Sequence, residues 1–254
     1  MRDELLIDRL LQVHYPQEHD LDTHGVVVDM TIHRGLVELS DSKACDDCQG
    51  HRPHRAQCDR VNLSLDASAS PVAIVDFEKY VNLFDNTVAA MRDRCDYLLV
   101  DATDEHNKIA FCDLTCSEEK YVNPNDGKYP LGKRAKASAQ MKKSLEQLLL
   151  DPLMAHYILT FPEKICLFGW RDYDVPDVTP LRGDAARNML AFMRTPSANS
   201  RTLAKAISVI GHNFSFVQVK YPSVYLLAEL KKRLKISIFL WRKSCASRCF
   251  LVTL

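Results

Sequence analysis

Cys95-Asp96-Tyr97-Leu98-Leu99-Val100-Asp101, a polar break from Ala102 to Asn107, and Lys108-Ile109-Ala110-Phe111-Cys112-Asp113-Leu114-Thr115-Cys116 together decide how the fold is read. Two apolar runs of strand length flank a break rich in Asp, Glu, His and Asn, the pattern of adjacent strands joined by a turn. Side chains alternate along a strand, so Ala110, Cys112 and Leu114 share one face and Phe111, Asp113 and Thr115 the other. An acid inside such an apolar run is unusual. Asp96 opens the first strand and Asp113 nears the end of the second, so antiparallel pairing brings the two carboxylates to one end of the sheet. Placed there, they can hold a divalent metal.

Working outward, Phe77, Tyr80, Val81, Phe84, Val88 and Met91 fall at helical spacing, which predicts a helix from Asp76 to Arg94 that carries Glu78, Asp85 and Arg92 on its polar face. After the hairpin, Ser117 to Leu131 reads as a polar loop with a turn at Asn125-Asp126-Gly127. A helix from Gly132 to Leu150 follows, with Ala137, Met141, Leu145 and Leu148 on its core stripe and Lys136, Gln140 and Lys143 on a neighbouring one. Asp151-Pro152 interrupts it, and helix resumes through Tyr157. Lys164 to Trp170 is a near-continuous apolar run, as expected of a strand covered on both faces.

The flanking segments read more coarsely. Arg2 to Val13 is a short amphipathic helix that Pro16 and the polar residues after it end. Gly25 to His33 and Leu36 to Leu39, joined at Arg34-Gly35, read as a second hairpin, and Asp66 to Pro71 as a connection. Between them, Cys45, Cys48, His51, His54 and Cys58 lie in a stretch without hydrophobic periodicity. A Cys-x2-Cys pair supplies two corners of a tetrahedral zinc site, and His54 (or His51) with Cys58 can complete it, which points to structural Zn2+. Toward the C-terminus, Asp184 to Arg194 and Arg201 to Ile210 look like short helices, Phe214 to Tyr221 like a strand and Tyr225 to Leu234 like a helix. Arg242, Lys243 and Arg248 then surround Cys245 and Cys249.

Composition narrows the function classes. The 254 residues carry 33 basic and 33 acidic side chains, so no global basic field drives nucleic-acid binding and any such contact must be local. No apolar stretch approaches the roughly 18 to 20 residues of a membrane span, and Met1-Arg2-Asp3-Glu4 lacks the layout of a signal peptide. With nine cysteines and no export signal, free thiols or metal ligands are expected, and the chain is expected to be cytoplasmic. Gly-rich phosphate loop, nucleophile elbow and internal repeat are all missing from the sequence, which moves nucleotide hydrolases and serine hydrolases out of the first rank.

The order helix, strand, strand, helix, strand, with Asp96 opening one strand, Asp113-Leu114-Thr115 late in the next and Ala139-Gln140 on the helix after it, resembles the PD-(D/E)XK nuclease superfamily. The phrases Cys-Asp-Tyr-Leu and Phe-Cys-Asp-Leu are similar to small bacterial members of it. The resemblance covers roughly Asp76 to Trp170 and implies a restriction-endonuclease-like α/β fold. It further implies that Asp96, Asp113 and the carbonyl of Leu114 hold Mg2+ (or Mn2+), which polarises a scissile phosphate and activates water. In that family a lysine at the third motif position orients the water and offsets charge. Here that position is Thr115, a neutral hydroxyl. Either the cation has moved, to Lys136 or Lys143 beside Gln140, or the site is catalytically dead and the chain serves as a scaffold. Lys108 is a poorer candidate because it points to the face opposite Asp113.

The expectation is therefore an α/β protein with a restriction-endonuclease-like mixed sheet flanked by helices. Residues 1–70 form an N-terminal extension with a zinc loop, 71–175 the nuclease-like core, and 176–254 a C-terminal α/β extension. The expected activity is Mg2+-dependent cleavage of phosphodiesters, with DNA ahead of RNA as partner, in restriction or defence against foreign nucleic acid. Asp96, Asp113, Lys136, Lys143, Gln140 and Glu78 are the candidate site residues. Simple structural roles compete with this: strand-end caps for the acids and a solvated helix face for the lysines. The alternative function is an inactive subunit that docks on a protein partner.

Overall fold

The computed structural model describes residues 6–22, 25, 27–41, 60–84, 94–103, 107–123, 132–172 and 212–227. Its first helix runs in three joined pieces, Leu6–Arg9, a π-helical turn Leu10–His14, and Tyr15–Glu18, together α1. There follow β1 (Met30–His33), β2 (Leu36–Ser40), β3 (Val61–Asp66), β4 (Val72–Asp76), α2 (Phe77–Asn82), β5 (Tyr97–Asp101) and β6 (Lys108–Cys116). Then come α3 (Glu119–Val122), α4 (Gly132–Leu148), α5 (Pro152–Thr160), β7 (Glu163–Arg171), β8 (Ser215–Lys220) and β9 (Val224–Leu226).

The fold is mixed α/β. A six-stranded sheet has the order β1-β4-β5-β6-β7-β8, and a three-stranded sheet has the order β2-β3-β9. β1, β4, β5 and β6 pair antiparallel, whereas β7 and β8 continue the large sheet parallel to β6. Alternation along the central strands splits the interior in two. Val75, Leu98, Val100, Phe111 and Phe168 point to one face and pack with Tyr80 of α2 and with Met141 and Leu145 of α4. Ile74, Leu99, Ala110, Cys112 and Leu167 point to the other face and meet Val37, Leu39, Leu63 and Leu65 of the small sheet. Helices thus cover one face and the second sheet covers the other.

The helix starts follow local capping chemistry. Asp76 accepts from the Lys79 N–H at 2.9 Å and starts α2. Asp151 accepts from Leu153 and Met154 at 2.8 and 2.9 Å, with Pro152 in the first turn, and starts α5.

The segments drawn from the sequence are interleaved in these sheets. β1, from the first, and β8, from the last, form the edges of the large sheet, and β9 pairs parallel with β3. Two side chains tie the sheets at one corner: Asn62 Nδ2 donates to the Cys116 sulfur at 3.0 Å, and Arg171, fully buried, donates to the Val61 carbonyl at 3.1 Å.

Several expectations are corrected. Residues 25–39 do not form a hairpin: β1 pairs with β4 and β2 with β3, in different sheets. Gly35, at φ +86°, makes the turn between the sheets, and β2 buries Val37 and Leu39 against the other face of the large sheet. Pro16 does not end the first helix: the Tyr15 N–H closes the π turn on the Leu10 carbonyl, and the Leu11 carbonyl, next in that register and denied a donor by the proline, accepts from the Tyr80 hydroxyl at 2.9 Å. Val224–Leu226 is a strand, not the start of a helix, and α3 occupies part of the expected loop after β6. β3 and β4 escaped notice because their runs are short and flank a polar connection. The zinc-loop residues Cys45, Cys48, His51, His54 and Cys58 lie outside the described residues, as do 184–194, 201–210 and the basic stretch at 242–249.

Close approach of the sheets makes Gly169 critical. A Cβ added there would lie 2.6 Å from Leu114 Cδ2 and 2.8 Å from Leu63 Cβ, and the latter is fixed to backbone. Gly169→Ala is expected to lower stability by about 1–3 kcal/mol, measured as a lower urea midpoint at unchanged slope.

Candidate functional site

Asp96 is fixed before its carboxylate is considered. Its N–H donates to the Cys112 carbonyl at 3.0 Å, and its carbonyl accepts from the N–H groups of Phe77 and Glu78 at 2.8 and 3.1 Å. The start of α2 is thereby anchored to the head of β5. Asp96 lies one position beyond the register pair Tyr97–Cys112, which sets it opposite Asp113 on the helix-covered face. The Leu114 N–H donates to Asp96 Oδ2 at 2.7 Å, and the Asp96 and Asp113 carboxyls share a hydrogen bond. Each residue is only 6% exposed.

Two more acids bear on the pair. Asp41, just after β2 and held through its N–H to Asn62 Oδ1 at 2.9 Å, adds negative field to both. Glu78, 4% exposed, does the same and sits 3.4 Å from Arg94 Nη2. Burial chiefly, then Asp41, raises the Asp113 carboxyl to about 7 against the pull of Asp96's hydrogen bond and the Lys136 charge. Burial and then Asp113 push Asp96 well above the ordinary carboxylate range, although the Leu114 N–H opposes them. Two carboxyls sharing a hydrogen bond need a proton between them.

Helix α4 fixes this geometry from above. Ser144 Oγ accepts from the Cys95 N–H at 2.9 Å and donates to the Gln140 carbonyl at 3.1 Å, while Gln140 Nε2 donates to the Arg94 carbonyl at 2.9 Å. Gln140 is thus a positioning residue for the chain entering Asp96. Lys136 is exposed yet close enough to lower the proton affinity of Asp113. Lys143 is exposed and lies seven residues further along the helix, about 10 Å. Lys108 sits at the far end of β6 with Glu163 at 3.1 Å and the Leu227 carbonyl.

The lysine that reaches Thr115 is Lys133. Its Nζ lies 3.4 Å from both the Thr115 hydroxyl and the Cys116 carbonyl. Sequence reasoning passed over it, although the stripe Lys136, Gln140, Lys143 extends back by one turn to Lys133. Ser144 and Arg94 were missed for want of any local pattern, and Asp41 because it arrives from the other sheet. A cleft of about 200 Å³ among Asp29, Thr31, His33, Ile74, Asp76 and Tyr97 opens elsewhere and does not include the acid pair.

The donor set fits a hard divalent cation. Once the shared proton leaves, two carboxylates with further negative field behind them would supply oxygen ligands, and Mg2+ is commonly held by one or two carboxylates while keeping several waters. Among the described residues no three His, Cys, Asp or Glu side chains converge as a metal cage. None of the described helices is long and apolar enough to cross a membrane. Comparison with known proteins gives no match among family models, curated proteins or solved structures.

The raised carboxyl makes stability depend on pH. Between about 4 and 7 the folded protein holds a proton on Asp113 that the unfolded chain has released, so the stabilisation is present below pH 4 and lost as pH rises through about 7. Asp113→Asn keeps a hydrogen-bond donor without that charge. At pH 8, without divalent ions, the variant is expected to be more stable than the native protein by about 1–4 kcal/mol, and chemical denaturation across pH 4–8 measures whether the slope becomes shallower, the remainder belonging to the buried Asp96.

Proposed function

We propose that the chain is a Mg2+- or Mn2+-dependent nuclease, with Asp96 and Asp113 as metal ligands and Lys133, assisted by Lys136, as the displaced cation of a restriction-endonuclease-like site. The observation that carries this reading is the buried cross-strand acid pair with a lysine amine at the Thr115 hydroxyl. The element order supports it: α2, β5, β6, α4 and β7 follow one another as the helix, strand, strand, helix and strand that carry the sequence resemblance. When bound, the metal polarises the scissile phosphate and lowers the pKa of the attacking water.

The chain's own residues do the remaining work. Lys133 places a positive charge beside Thr115, where it can orient the attacking water and offset charge on the phosphoryl oxygens. Lys136 offsets the charge on Asp113 from the solvent side. Gln140 and Ser144 keep Asp96 in register, and Glu78 with Arg94 closes the inner side of the site. The substrate is a nucleic acid, DNA ahead of RNA, and a role in restriction or defence rests on fold-level resemblance.

One observation favours a second reading, an inactive nuclease-fold subunit docking on a partner: the acids are 6% exposed and hydrogen-bonded to each other. Cleavage of circular single- and double-stranded DNA and of RNA, with Mg2+ or Mn2+, separates the two. The nuclease reading expects metal-dependent cleavage that vanishes in Asp113→Ala and falls by about 10²-fold or more in Lys133→Gln. Cleavage of no substrate, or equal cleavage by native protein and Asp113→Ala, supports the subunit reading instead.

A further inference from the structure

Beside the acid pair lies a second polar corner. Register places Thr115 of β6, Trp170 of β7 and Lys220 of β8 in one row across three parallel strands. Asp113 is two residues earlier on β6, so this row lies about 6.6 Å beyond it on the same face. That separation is comparable to the distance between consecutive phosphates in a nucleic-acid strand.

The first turn of α4 comes down on this row. Gly132, at φ +74°, packs so closely on Asn123 that a Cβ would lie 2.5 Å from its carbonyl carbon, which fixes where the helix begins. From that turn Lys133 reaches Thr115 on β6, while the Arg134 guanidinium lies 5.3 Å from the Phe216 ring on β8. Trp170 is the register partner of the Thr115 that Lys133 reaches, so it lies beside the residue on which the first turn of this 17-residue helix comes down, and the terminal N–H groups and dipole of such a helix favour an anion. Lys220 Nζ lies 4.6 Å from the Trp170 ring centroid.

Two buried donors here lack partners among the described residues. Trp170 is 3% exposed and its Nε1–H has no acceptor; Ser117 is 1% exposed and its Oγ has neither donor nor acceptor. Ser117 follows directly after β6, and its N–H donates to the Arg171 carbonyl at 2.9 Å, which sets it beside the end of β7. Unsatisfied buried groups of this kind cost stability unless a ligand, ion or water meets them. Lys220 is the movable member: its present partner, Glu119 at 2.8 Å, is 65% exposed, and an ion pair so placed is weak.

We propose that this corner, formed by Lys133, Lys220, the Trp170 indole N–H, the Ser117 hydroxyl and the start of α4, is a phosphate subsite that takes the phosphate adjacent to the scissile one. Its place as an adjacent subsite rests on the nuclease reading; its ability to bind phosphate does not. The substrate is then a polynucleotide gripped at consecutive phosphates, and a mononucleotide fills only half of the site.

The test reads binding in the full chain, without divalent ions, in the Asp113→Asn background so that no cleavage intervenes. The sequence has two tryptophans, so a spectrum of indole N–H resonances has two signals, and Trp170→Phe assigns one of them. Inorganic phosphate, followed by the 5′-phosphorylated thymidine dinucleotide, is titrated. Expected is a concentration-dependent shift of the Trp170 signal, about tenfold tighter for the dinucleotide, and weakened about tenfold in both Lys220→Ala and Ser117→Ala. A Trp170 signal unmoved by either probe, or moved equally in both variants, overturns the subsite. A shift with inorganic phosphate that the dinucleotide does not tighten marks a general anion pocket and overturns the polynucleotide assignment. Cleavage failing while the shift persists would sink the nuclease reading and leave the phosphate subsite standing.

Discussion

Burial of two carboxyls against one another is the constraint on which the rest of the arrangement depends. In the low-dielectric interior neither charge is tolerated alone, and their being side by side doubles the difficulty. The protein meets this with fixed backbone donors. Leu114 gives its N–H to Asp96, while the carbonyl of Asp96 takes the first two N–H groups of α2. Residues that would otherwise be a strand end and a helix start become one rigid junction. α4 then closes over it with Gln140 and Ser144, whose polar groups engage the backbone of Arg94 and Cys95 and leave the carboxyls to each other and to the lysines.

That division of labour accounts for what the sequence disclosed and what it hid. The pairing of Asp96 with Asp113 was legible because it follows from strand alternation and a turn, both local. β7 as a strand covered on both faces was legible in its near-continuous apolar run, whereas its parallel pairing with β6 was not. Lys133 was hidden for a different reason: a helix that docks by its first turn can deliver a side chain from a position that periodicity alone treats as solvent-facing. Asp41 was harder still, since only the crossing from one sheet to the other at Gly35 brings it near. The roles of Gln140 and Glu78 illustrate a further limit. Sequence placed both near the acids, and geometry assigns the first to backbone positioning and the second to a buried ion pair with Arg94.

The electrostatic layout is graded along the edge of the sheet. Acids cluster where β4 ends and β5 begins, and basic groups gather where β6, β7 and β8 end, with Thr115 at the boundary between them. A chain whose charges sum to zero can thereby present a locally polarised surface without a long-range field. Association with a polyanion would then be set by short-range contacts and depend less steeply on salt than in a strongly basic protein.

The pairing of β3 with β9 joins residues near 65 to residues near 225, and β8, which pairs Ser215 with Ile165, closes the free side of β7 from later in the chain. Such contacts carry a large loop-closure cost and form late. During synthesis the apolar strand β7 therefore emerges from the ribosome well before the strand that will cover its edge. Until the last quarter of the chain arrives, the nascent protein displays an open, hydrophobic sheet margin of the kind that chaperones bind and that aggregates grow from.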